Sequence, residues 1–349
     1  MSSAPALTRR AATHFPTARS TLDLHSAVAA LWPRIEGWVA RERRVDVLAS
    51  CRALPPIWRW GVLELRLAAG DARVDLMGCV SAVERDRSLV LEHATNEALR
   101  PARRVLEAWA RSKRWSPVPL LWVEWDLPLA GERSTLLFAC VNQAFVEPDC
   151  PPPSLTKQLA LTTEVLRLTM PQANQQPLSA EIARCVAALP GRGRLLHVGP
   201  LSPRGGTGCR LVVCLRAEEL STWLRAVGWS GEIAVVEDWS YRAAPFWHRL
   251  LVHYDVGAPE PYLAIETELA VRAGARKTPF TEALMEAGLA HPARMELARR
   301  WPGKARENLR SARESATIAR SAYFKLSFLA SGRLEAKAYL GFNLAAPGS

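Results

Sequence analysis

The chain has 349 residues, 49% of them hydrophobic, which is ample for one large core and excludes an intrinsically disordered chain. Its net charge of +11, from 45 Lys and Arg against 34 Asp and Glu, fits either an anionic partner or an arginine-biased but ordinary solvated surface. No apolar run approaches the ~20 residues that span a bilayer, and no zinc-finger spacing, long basic helix or RNP-like strand is present, so neither membrane nor nucleic acid is an expected partner.

Residues 1–22 read as a flexible N-terminus, and residues 23–349 as a single domain. The first 20 carry Arg9, Arg10 and Arg19 and no acid, as a transit peptide or a floppy bacterial terminus would, and lack an apolar signal core. The seven cysteines are odd in number and lack CxxC spacing, which predicts reduced, buried thiols in a cytoplasmic protein without structural zinc.

In chain order, a helical stretch at Val45–Leu54 leads into a β-hairpin, Val62–Ala68 and Arg73–Val80, turning at Gly70-Asp71. Helical pattern over Thr95–Lys113 precedes the second, Leu120–Asp126 and Ser134–Phe145, turning near Gly131. Helices at Leu155–Leu168 and Ala180–Leu189 lead to the third, Leu195–Leu201 and Cys209–Arg216, joined by the glycine-rich turn Pro203–Gly208. That turn joins two strands rather than opening a helix, so it is not a phosphate-binding Walker loop. Helices at Glu218–Val227 and Ile233–Ala243 precede the fourth, Arg249–Val256 and Tyr262–Leu269. Thr278 as N-cap and Pro279 at the first helical position open a helix to Ala287. Pro292–Arg300 and Lys304–Arg320 read as further helices before the last hairpin, Tyr323–Leu329 and Leu334–Phe342.

The strands alternate. In Leu120–Asp126, Val123 and Trp125 share one face, while Trp122, Glu124 and Asp126 share the other; in the last strand Glu335, Lys337 and Tyr339 oppose Leu334, Ala336, Ala338 and Leu340. Helices must cover the apolar faces, so the polar faces point away from them. Ten such strands can curl shut and enclose those faces. The predicted fold is therefore α+β, a closed ten-stranded antiparallel β-barrel of five αββα repeats with helices outside; an open sheet with a solvated polar face is the alternative.

This pattern resembles the ABBA (αββα) prenyltransferases. The segments Gly199-Pro200-Leu201-Ser202 and Arg210–Leu215, followed by Ala217-Glu218-Glu219-Leu220, are similar to a hairpin of the cyanobactin-type peptide prenyltransferases. Phe324–Phe328 and Glu335–Tyr339 are similar to the family's lysine- and tyrosine-bearing strands. The resemblance implies transfer of a prenyl group from an isoprenoid diphosphate co-substrate to an aromatic or peptide side-chain acceptor. No tightly bound cofactor is implied, although Mg²⁺ can accompany the diphosphate. Arg66, Arg210, Lys325 and Lys337, then Arg204 and Arg249, would hold the diphosphate. Trp122, Tyr323 and Tyr339 would shield the allylic cation, with His253 beside the substrate. Glu64, which matches an early acid of the cyanobactin-type enzymes, would take the acceptor's proton, with Glu124 and Asp126 as further catalytic acids. His253 and Asp255 share a strand face but lack a third metal ligand.

The same interior would also hold Arg73, Asp75, Glu266, Glu268 and Glu335, so that acids outnumber Arg and Lys eight to six. Such a balance equally suits a metal-free enzyme of ribosomal-peptide (RiPP) maturation, resembling the class V lanthipeptide cyclase components and acting with other enzymes of its pathway. A barrel that binds a leader peptide without catalysis is a third reading.

Overall fold

The computed structural model describes residues 21–39, 41–71, 73–82, 84–127, 135–142, 153–170, 172–191, 193–202, 206–243, 250–259, 262–268, 278–307, 309, 316–329 and 331–345. Helices α1 (Leu24–Leu31) and α2 (Arg43–Ala53) precede strands β1 (Trp60–Arg66) and β2 (Val74–Ser81). Helices α3 (Glu84–Glu92) and α4 (Arg103–Arg111) precede β3 (Leu120–Asp126) and β4 (Thr135–Cys140). Then come α5 (Leu155–Thr169) and α6 (Gln172–Ala187), β5 (Arg194–Pro200) and β6 (Cys209–Leu215). They are followed by α7 (Ala217–Val227) and α8 (Ile233–Ala243), β7 (Leu250–Val256) and β8 (Leu263–Glu268). The chain ends with α9 (Pro279–Glu286), α10 (Pro292–Arg300), β9 (Gly303–Glu307), β10 (Ala316–Phe328) and β11 (Leu334–Leu344).

Neighbouring strands pair antiparallel in the order β1 through β8, then β10 and β11, and β11 pairs back onto β1. The ten strands thus close into a barrel with no free edge along this circuit. Strand β9 lies outside it, against the N-terminal half of β10.

Period-two alternation explains why the sheet curls as it does. Outward residues such as Leu63, Leu65, Val123, Trp125, Val213, Val252, Phe324 and Leu326 join one continuous core with Leu31, Leu106, Val165, Trp223 and Met295 from the helices. Burying a side chain of this size contributes about 1.5–3 kcal/mol, so the helix layer is held by many such contacts. The ring of Trp58 meets Trp125 edge-on at 5.0 Å and lies over Gly78, where a Cβ would stand 2.5 Å from it. Local signals fix the helix ends: Asp23 accepts from the backbone NH groups of His25 and Ser26, and Thr278 caps α9 with Pro279 behind it.

Two expectations are corrected. Lys304–Arg320 is not a helix, because Gly303–Glu307 and the chain from Ala316 are paired strands. The Ala- and Arg-rich composition favours helix, but Ile318, Ala322 and Phe324 are buried at even spacing on the outer face of β10, and sheet pairing overrides propensity. At the N-terminus, Leu22 is anchored rather than flexible: it is fully buried and its NH donates to the Trp58 carbonyl at 2.6 Å. Cys51, Cys79, Cys140, Cys185, Cys209 and Cys214 are free thiols and all but Cys214 are buried; Cys150 lies outside the described residues. No described helix is long and apolar enough to cross a membrane.

Candidate functional site

The inward faces of β1, β2 and β11 bring the two ends of the barrel sequence together. Register sets Glu64 opposite both Asp75 and Tyr339, and Arg66 opposite Lys337. Arg66 is the hub: Nη1 donates to Glu64 at 2.9 Å and Asp75 at 2.7 Å, and Nε donates to Glu335 at 3.0 Å. Lys337 donates to Glu64 at 2.8 Å. These groups are withdrawn from water, with Glu64 2% and Asp75 5% exposed. Charges this deep must be paired, because an unpaired one costs several kcal/mol.

The pairing divides the carboxyls unequally. Burial alone would raise Glu64, but Lys337, Arg66 and Lys325 hold it well below the usual carboxylate range. Asp75 moves the other way: burial and then repulsion from Glu64 and Glu124 outweigh Arg66 and lift it to about 7. Asp75 is therefore about half protonated at neutrality while Glu64 stays ionised, as expected where carboxyls share a site. Carboxylate oxygens of Glu64, Asp75 and Glu124 lie within 4.8 Å of one another. Such a set suits a hard divalent cation, but Arg66 and Lys337 already bond to two of its three members.

A second group forms on β6, β7, β8 and β10. Arg210 grips Asp255 with two bonds, 2.6 and 2.9 Å, and its guanidinium stacks 3.9 Å over the Tyr262 ring. The Tyr262 hydroxyl bonds Ser327 at 2.8 Å; burial would raise this phenol, but Lys325 and Arg210 draw it down. Lys325 donates to the Tyr339 hydroxyl at 2.8 Å and stands opposite Glu266 in register. His253 Nε2 lies 2.9 Å from Glu266. Burial, then Lys325 and Arg210, keep this imidazole neutral, while burial raises Glu266. With Glu266 ionised the hydrogen belongs on Nε2, which leaves His253 Nδ1 a buried lone pair with no hydrogen-bond partner.

Another part of the inward surface is apolar. Trp122 stacks on Trp60 with ring centres 6.4 Å apart, and the two pack against Cys79, Leu120 and Cys140. Trp122 also meets Leu136, Phe138 and Leu201. Gly199 makes room for Phe138, since a Cβ there would lie 2.4 Å from its ring.

The structure therefore gathers Glu64, Glu124, Arg66, Arg210, Lys325, Lys337, Trp122, His253 and Tyr339 on the inner face. Asp126 lies opposite Asp75 and Tyr323 opposite Tyr339. Arg204 and Arg249 lie outside the described residues. Arg73 is exposed at the rim, bound to Asp71 and Glu335. Asp75 and Glu266, expected in the interior but given no role, emerge as site residues together with Tyr262, which had not been singled out. His197 was hidden for a different reason: a bulge between Leu195 and His197 swaps faces, turning Leu195 outward and His197 inward, where burial lowers the imidazole to about 4. No protein-family model matches this chain, and no curated protein matches it.

Proposed function

We propose that the barrel is an acid–base enzyme that moves protons on a substrate bound against its inner face, of the peptide-modifying kind, and that it uses no diphosphate donor. One observation carries this reading: each described cation that a diphosphate would need already has a protein partner. Arg66 holds three carboxylates, Arg210 holds Asp255, Lys337 holds Glu64, and Lys325 holds the Tyr339 hydroxyl. Capturing a diphosphate would require breaking buried pairs, each break leaving a carboxylate stranded.

What the cluster offers instead is a proton donor and a proton acceptor. Asp75, poised near neutrality, is suited to general acid–base work. His253 Nδ1 offers a lone pair, with Glu266 fixing the tautomer. A nucleophile X–H gives its proton to Nδ1 and bonds to an unsaturated acceptor, and the carbanion that forms takes the Asp75 proton. The sum is addition of X–H with no change in mass. A thiol adding to a dehydroalanine within one peptide is the form of this chemistry that fits the class V lanthipeptide likeness.

A second reading keeps the prenyl donor. It is favoured by the Trp60, Trp122 and Phe138 rings, which could shelter an allylic cation.

The test incubates the protein with a peptide carrying one cysteine and one dehydroalanine. Loss of iodoacetamide-reactive thiol at constant mass, abolished by Asp75→Asn and His253→Ala, is expected. Calorimetric binding of dimethylallyl or geranyl diphosphate, lost in Lys337→Met, would overturn the proposal and favour prenyl transfer. Tight peptide binding without thiol loss would leave only the binding barrel.

A further inference from the structure

Helix α4 turns Val105, Leu106 and Trp109 into the core and leaves its opposite face outside. Along that face, Arg104, Glu107, Ala108, Arg111, Ser112 and Lys113 line an open groove whose far wall is Leu168, the penultimate residue of α5. Arg104, Arg111 and Lys113 are exposed, and none of them has a carboxylate partner among the described residues. Several exposed helical arginines elsewhere hold acids one helical turn away: Arg167 on Glu164, Arg242 on Asp238, Arg300 on Glu296. Arg104 and Arg111 on α4, with Lys113 just beyond its end, thus gather three cations against the single acid Glu107 around one depression.

We propose that this groove is a docking site for an acidic peptide segment with interspersed apolar side chains. The three cations supply the charge complement, and Ala108 and Leu168, both half-buried against the core, supply an apolar floor. Nucleic acid fits less well. The neighbouring rings of Trp109 and Trp115 are at most 1% exposed, so no aromatic face is offered to a base. The inference is independent of the chemistry inside the barrel, because the groove lies on the outer, helical layer.

Fluorescence anisotropy tests it on the full chain, using a fluorescein-labelled peptide alternating Glu with Leu. Binding should weaken as salt rises, since exposed charges are screened. Reversing all three cations, Arg104→Glu with Arg111→Glu and Lys113→Glu, should lower affinity by about tenfold or more. Reversing the exposed Arg225 on α7 should leave binding unchanged. Circular dichroism of the triple variant checks that the fold is intact, and the single Arg111→Glu variant, expected to lose affinity about threefold, replaces it if the fold is not. No binding of the Glu-Leu peptide, equal binding of a Gln-Leu peptide, or unchanged affinity in the folded variants would each overturn the proposal. So would tighter binding of a single-stranded oligonucleotide through the same three residues.

Discussion

The inner face of the barrel contains two zones built from the same alternating strands. Along β1 the inward residues run Trp60, Val62, Glu64, Arg66, and along β3 they run Leu120, Trp122, Glu124, Asp126. In the apolar zone, Trp60, Trp122, Leu136 and Phe138 pack in apolar clusters. In the charged zone Glu64, Asp75, Arg66, Lys337, Arg210, Asp255 and Lys325 each depend on a partner of opposite charge or a hydroxyl. The first zone tolerates changes of shape, while the second tolerates no change of charge, because removing one member strands another.

The sharpest separation between the zones should come from Glu64→Ala. It leaves Lys337 without its acid and removes one of the three carboxylates on Arg66, so urea unfolding should show a loss of about 3–5 kcal/mol. A loss below about 1 kcal/mol would show that water solvates these charges and erase the distinction between the zones.

The second expected effect is a pH dependence. Asp75 keeps its proton in the fold up to about 7, whereas the unfolded chain releases it near 3.8. Between those values the folded state binds more protons, so this group makes stability fall as pH rises. His197 and His253, both depressed, act in the opposite sense, and Glu64, also depressed, contributes stability that is fully present above the ordinary carboxylate range and lost as pH falls below it. The informative quantity is therefore the difference between wild type and Asp75→Asn. Wild type should lose ground to the variant by a few kcal/mol as pH rises from about 4 to 7, and a flat difference would contradict it.

In the apolar zone the effects should be smaller. Gly199→Ala drives a methyl into the Phe138 ring and to 2.8 Å from the Leu137 carbonyl, and should cost about 1–3 kcal/mol. Leu136→Met, which nearly conserves volume, should cost under about 1.5 kcal/mol. A thermal-unfolding series on these two variants and Glu64→Ala would rank the zones directly.

Much of this was legible because a strand reports its own two faces. Glu64, Arg66, Trp122, Glu124, His253, Lys325 and Lys337 all follow a period of two, and their convergence follows once the sheet closes. Pairing was not legible. Glu64 and Lys337 are 273 residues apart, and only the register of β1 on β11 shows that they touch. The partners of Arg66, Arg210, Lys325 and Lys337 could not be read from the sequence for that reason: charge type is local information, and neutralisation is not. The bulge at Leu195/His197 and the strand conversion of Lys304–Arg320 failed differently, since each is set by a neighbour's hydrogen bonds rather than by local composition.

The central claim is that the charged zone is a self-neutralised cluster holding one titratable proton near physiological pH. The ¹³C carboxyl shift of Asp75, followed by NMR across pH, tests it most directly. The account predicts a midpoint near 7. A midpoint at or below the ordinary value of about 3.8 would mean that Arg66 holds three full carboxylates, and the acid–base reading would fall.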